Sequence, residues 1–121
     1  MKKELNIPLT VPNLSGNEIK YVTDCLKTGW ISSAGAYVEK FEEKVTNYTK
    51  SKYGIATVNG TSSLHIALKL MNIKNDDYVI IPNLTFVATA NSVKYLDAEP
   101  ILIDIDPIYW QMDLDILEQF L

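Results

Sequence analysis

The stretch VNGTSSLHIALKLM, residues 58–71, decides the fold. An apolar β-branched run ends at Val58, Gly60 gives the backbone freedom for a tight turn, and a helical pattern then opens on three consecutive hydroxyl residues. This is a strand-to-helix junction, and its surroundings repeat the theme. GIATV (54–58), YVIIP (78–82) and PILIDI (100–105) are short, β-branched and almost wholly apolar, and helical patterns at 61–72 and about 85–96 separate them. Such strands alternating with helices predict βαβ units and a parallel sheet covered on both faces, an α/β fold.

The residues before Tyr53 follow a different pattern. MKKELNIPLTVPNLSG carries Pro8, Pro12 and Gly16 and predicts an extended arm. Ser15, with Glu18 three residues on, predicts an N-cap for a short helix that Gly29 ends. WISSAGAYV (30–38) reads as a loop of small and hydroxyl residues around one large aromatic, Trp30. Tyr37, Val38, Phe41, Val45 and Tyr48 then recur at helical spacing and predict an amphipathic helix over 36–48. At the far end, Asp113 caps the start of another helix in DLDILEQFL.

Composition excludes several classes of function. A formal net charge of -4, with no concentrated basic face, argues against nucleic acid as a partner. No window holds the ~18 apolar residues that span a bilayer, so neither a membrane partner nor a spanning segment is expected, and the reading is cytoplasmic. Cys25 is the sole cysteine and lies in a helical pattern, so it reads as an inert thiol. His65 is the sole histidine, off the Leu64, Ala67, Leu68, Met71 stripe, and lacks a second histidine with which to share a metal; no metal site is expected.

At the carboxyl end of a parallel strand, a helix N-terminus offers unpaired N–H groups and the positive end of its dipole. Gly60, Thr61 and Ser62 stand there, and the two hydroxyls add donors suited to a single small phosphate group. The stretch lacks both the lysine of GxxxxGK[ST] and the spaced glycines of GxGxxG, so a nucleoside triphosphate or dinucleotide fits poorly. The competing reading is that Thr61 and Ser62 merely cap the helix; where these two hold a phosphate, Ser63 is the capping residue. Thr85 and Phe86, in NLTFVATANSV (83–93), fall at the next such junction, where the Phe86 ring either stacks on a flat ligand or serves as core.

TGWISSAG, NGTSSLHIAL and the P-x-x-T-F-x-A-T-A-N run at 82–91, in this order and spacing, resemble the DegT/DnrJ/StrS family of pyridoxal-phosphate-dependent sugar-nucleotide aminotransferases. The resemblance covers about Ile7 to the end, and comes nearest to members of the perosamine and legionaminic acid pathways that aminate C4 of 4-keto-6-deoxy sugar nucleotides. It implies the N-terminal part of a fold-type-I large domain, pyridoxal 5'-phosphate (PLP) as cofactor, a nucleotide-sugar substrate, glutamate as amino donor, and a homodimer when full length. Residues 1–34 become an arm, short helix and substrate-facing loop, and 35–121 an incomplete PLP-binding domain.

Matched residue by residue, Gly60, Thr61 and Ser62 correspond to the phosphate cup and Phe86 to the aromatic that stacks on the cofactor ring. Trp30, Ser32 and Ser33 correspond to a loop facing the sugar nucleotide. Many family members carry Ala or Thr where this chain has Ser62, a change that leaves a backbone donor in place. The family's Schiff-base lysine and its aspartate partner are expected beyond Leu121, so the chain reads as an amino-terminal piece without turnover of its own. Two other readings stay open: a vestigial cofactor-binding or interaction module, and a piece of a sibling dehydratase that carries histidine at the lysine position.

Overall fold

The computed structural model describes residues 7–121; the first six residues of the expected arm lie outside that range. The chain divides between Ala56 and Thr57 into two compact units. The first contains helices α1 (Glu18–Thr28) and α2 (Ala36–Thr49). The second contains α3 (Gly60–Leu70), β1 (Tyr78–Pro82), α4 (Ala88–Lys94), β2 (Glu99–Ile103) and α5 (Leu114–Phe120). The alternation of strand and helix from α3 onward is that of an α/β fold.

β1 and β2 pair in parallel, with Ile80 opposite Ile101 and Ile81 opposite Leu102. α4 is the crossover between them and packs on both, while α3 packs against α4. The core lies between these layers: Ile81, Val93 and Ala98 are buried, with Leu68, Ile73, Val79 and Ala90 packed around them. α3 ends in a left-handed turn at Asn72, where the Ile73 amide bonds back to the Leu68 carbonyl at 3.2 Å and sends the chain into β1. α4 then returns from the end of β1 to the start of β2. The N-termini of α3 and α4 therefore both stand at the carboxyl ends of the strands.

Several expectations are corrected. GIATV forms no strand among the described residues. The Ala56 amide bonds instead to Glu42 Oε1 at 2.7 Å, and Gly54 lies so close to α2 that a Cβ there would stand 2.8 Å from Thr46 Cγ2. Ser15 does not cap α1: the helix begins after Asn17, which makes no side-chain cap bond. Gly60 needs no glycine-only turn, since its φ is not positive and a Cβ there would meet open space. On α3 the inward face runs through Thr61, His65 and Leu68, whereas Leu64, Ala67 and Met71 are exposed. His65 sits edge-on to Tyr95, ring centroids 5.8 Å apart, with Nδ1 buried and without a hydrogen-bond partner. Asp113 does cap α5, accepting from the Asp115 and Ile116 amides.

Candidate functional site

In the second unit the cap of α3 is Asn59. Its backbone is extended, and its Oδ1 accepts the Ser62 amide at 2.9 Å while its carbonyl accepts the Ser63 amide at 3.2 Å. This revises the role expected of Ser63. Its hydroxyl meets that of Thr57 at 2.5 Å, and the Asn59 carbonyl lies within reach of both, 3.0 Å from Thr57 Oγ1 and 3.3 Å from Ser63 Oγ, so that one hydroxyl donates to the other and the other to the carbonyl. Ser63 thus ties the first turn of the helix to the segment that leads into it. It also revises the donor set: the Ser62 amide is already engaged, so its hydroxyl, not its amide, is available to a ligand.

What remains free is a compact group. The Gly60 and Thr61 amides have no acceptor among the described residues, and neither do the hydroxyls of Thr61 and Ser62. Two amides and two hydroxyls are thus unpaired in the first turn of an eleven-residue helix, at its positive end, and donors there suit a phosphate-sized anion. Gly60 leaves the approach to its own amide uncovered. Asn59 and the Ser63 clamp were missed from sequence, although Asn is among the best capping residues and stands directly before the helix.

Phe86 lies in the same unit, in the loop between β1 and α4 at the same end of the sheet. The loop is anchored by the Asn83 amide, which donates to the Ile103 carbonyl at 2.7 Å, and by the Thr85 and Thr89 hydroxyls, 2.9 Å apart. The Phe86 ring is 79% exposed, so within this unit it is not core, and it is free to lie against a planar ligand. Lys69 and Lys94 sit in the last turns of α3 and α4, at the opposite end.

The first unit holds the other candidates. Gly29 ends α1 in the left-handed conformation, and Trp30 to Ser33 follow as a loop. Gly35 has φ +140°, a backbone conformation that favours glycine, while a Cβ there would make only ordinary contact with the Trp30 side chain, 3.4 Å from its Cβ and 3.6 Å from its Cε3. Trp30 and Ser32 line a groove of about 560 Å³ between α1 and α2; Ser33 is outside its lining. One wall is made by Tyr21 and Tyr37, centroids 5.1 Å apart, with Tyr37 Oη donating to Asp24 Oδ2 at 3.0 Å. Partial burial and the Asp24 carboxylate hold the Tyr37 phenol above its ordinary range.

Because the folded state raises this group's pKa, the stabilising contribution of the Tyr37–Asp24 bond is complete below pH about 10 and is lost as pH rises through the raised value. A phenolate absorbance titration of the chain and of Tyr37→Phe should differ by one late-titrating tyrosine. A difference curve centred at or below pH about 10 would refute this.

A family model for the DegT/DnrJ/EryC1/StrS aminotransferases matches residues 12–121. The chain belongs to this family. The GDP-perosamine synthases of Escherichia coli O157:H7 and Caulobacter vibrioides are 43% and 46% identical to it, each over 93% of the chain. The chain spans 31% and 30% of the length of these relatives. Among solved structures, Spr1654 of Streptococcus pneumoniae, assigned as a sugar aminotransferase and solved in PLP form, superposes with a TM-score of 0.84 at 30% identity, covering 97% of this chain and 30% of that one. The GDP-4-keto-6-deoxy-D-mannose-3-dehydratase of E. coli shares the fold, with a TM-score of 0.81 at 20% identity over 96% of this chain and 31% of that one. Among the described residues no helix is long and apolar enough to cross a membrane, and no group of three or more His, Cys, Asp or Glu is placed to hold a metal ion.

Proposed function

We propose that this chain is the phosphate-gripping and substrate-facing portion of a PLP-dependent aminotransferase that acts on a nucleotide-linked 4-keto-6-deoxy sugar. The observation that carries the reading is the free donor group at Gly60, Thr61 and Ser62 standing at the same end of the sheet as the exposed ring of Phe86. When bound, PLP supplies the electron sink through which an amino group passes from a donor, glutamate in this reading, to a keto carbon. The chain's own part is to bind and orient. The two amides and two hydroxyls hold the phosphate, and Phe86 covers one face of the pyridine ring. Trp30, Ser32 and Ser33, in the segment 1–34, face the sugar nucleotide, and residues 35–121 contribute to the cofactor domain. The homodimer of the full-length protein is part of the same proposal.

The proton-moving lysine is assigned to the part of the longer relatives that this chain does not span. Every described lysine is exposed, and those of α3 and α4 stand at the wrong ends of their helices. A buried, desolvated setting is what keeps such an amine partly neutral, and none of them has it.

Equilibrium dialysis of the chain against PLP and against pyridoxal tests the phosphate reading. PLP should bind at a single site at least about tenfold more tightly than pyridoxal, because charge-assisted hydrogen bonds hold the phosphate. Equal affinities would remove the phosphate grip, and with it the proposal.

A further inference from the structure

The two edges of the small sheet are not alike. The Glu99 amide donates to the Asp77 carbonyl at 2.9 Å, and the Asn83 amide to the Ile103 carbonyl at 2.7 Å. Successive residues of a strand point their backbone groups to opposite sides, so in the β1–β2 register Asp77, Val79, Ile81 and Asn83 face β2, and Glu99, Ile101 and Ile103 face β1. The outward groups of β2 belong to Pro100, Leu102 and Asp104. Pro100 has no N–H, and the Asp104 carbonyl already accepts the Asp113 amide at 2.9 Å. The outward groups of β1 belong to Tyr78, Ile80 and Pro82. The amides of Tyr78 and Ile80, and the carbonyls of all three residues, have no partner among the described residues. One edge is blunted, and the other is an open template for a further strand.

One segment of the chain carries the complementary pattern. Residues 7–12 (IPLTVP) lie outside any helix or strand, make no backbone hydrogen bond among the described residues, and expose Ile7, Leu9 and Val11. Pro8 and Pro12 favour extended backbone at the residues before them. In an extended segment the amides and carbonyls of Ile7, Leu9 and Val11 share one side, and Pro8, Thr10 and Pro12 take the other, where Thr10 has the one N–H. Proline is tolerated in a sheet where its missing N–H faces away from a partner. Residues 7–12 can therefore pair on one side and end a sheet on the other, and alternation gathers the Ile7, Leu9 and Val11 side chains on one face.

We propose that residues 7–12 of one copy of this chain add as a strand to the outer edge of β1 in a second copy. The occupant is a second copy because the chain's own arm stands unpaired while the edge is open. An antiparallel register with Val11 opposite Tyr78, Leu9 opposite Ile80 and Ile7 opposite Pro82 satisfies both free amides and all three carbonyls of the edge. The prolines of the arm then face outward and stop the addition of another strand. This interaction is independent of the cofactor reading.

Sedimentation velocity of the 121-residue chain over a range of concentrations, beside Leu9→Pro and Thr10→Pro, tests the pairing. Leu9→Pro deletes the central donor of the pairing side and should weaken association at least about fivefold, whereas Thr10→Pro deletes a donor on the side that already carries two prolines and should leave association unchanged. Both positions lie outside every helix and strand, so neither substitution breaks an element of the fold. Hydrogen exchange supplies the second readout. The Leu9, Tyr78 and Ile80 amides should gain protection as concentration rises, and the Thr10 amide should not. A chain that stays monomeric, association equally sensitive to both prolines or to neither, or Tyr78 and Ile80 amides that exchange alike at every concentration would each overturn the assignment.

Discussion

Replacing Thr61 and Ser62 together by alanine should weaken PLP binding by roughly 5- to 150-fold, the equivalent of ~1–3 kcal/mol for charge-assisted hydrogen bonds to a phosphate. The arrangement of the first turn of α3 explains why the effect should be large. Asn59 has already claimed the Ser62 amide, so the grip has two free amides, and two hydroxyls supply the rest of its donors. Removing both hydroxyls halves the donor set. The helix itself should survive, because its cap is Asn59 and its clamp is the Ser63–Thr57 pair, neither of which the substitutions touch. Unchanged PLP affinity with intact helical circular dichroism would show that the hydroxyls do not face the phosphate. Ser63→Ala is the informative companion: it should loosen the turn and lower thermal stability, with a smaller effect on the ligand.

The second large effect concerns the chain in solution. No residue of α1 or α2 is buried, and the buried apolar residues of the described chain are Ile81, Val93, Ala98 and Ile103. Against that small core stand exposed Ile19, Val22, Leu26 and Phe41 in the first unit and Tyr78 and Leu102 on the two-stranded sheet. A two-stranded sheet also leaves unpaired edges, and apolar faces of this kind drive association. We expect the purified chain to self-associate through these faces, with a net stability below the ~5 kcal/mol at which ordinary domains begin. Sedimentation velocity and dye binding to exposed apolar surface measure this. A monomer with one sharp cooperative thermal transition would contradict it and would favour a self-sufficient binding module.

The legible parts of the fold were those specified by local pattern. YVIIP and the front of PILIDI became β1 and β2 because contiguous β-branched runs suit a ladder with a parallel partner, and the α2 periodicity matched its helix to within a residue. GIATV carries the same kind of signal and forms no strand, because a strand is defined by its neighbour and Ala56 finds a carboxylate instead of a ladder. Beyond β2, Ile105 makes only an isolated bridge with Met112. The candidate site was legible as residue types at a junction, but the sharing-out of donors was not. Which amide Asn59 occupies, and that Ser63 turns back to Thr57, follow from backbone geometry that no spacing rule encodes. The apolar stripe of α3 predicts an inward face that leaves His65 out; of that stripe Leu68 packs inward while Leu64, Ala67 and Met71 are exposed, and the imidazole packs inward against Tyr95.

The caps of α3 and α5 differ in a way that composition alone would call accidental. Asn59 and Asp113 make the same kind of bond to first-turn amides, and either residue caps a helix about equally well. Their charges are not equivalent. A carboxylate at the head of α3 would neutralise the field of its own helix and repel an arriving dianion across a few ångströms. An amide secures the same turn and leaves that field undiminished. If the first turn of α3 holds a phosphate as proposed, a side chain that need not touch the ligand helps keep the field there favourable to it, in a chain whose net charge is negative.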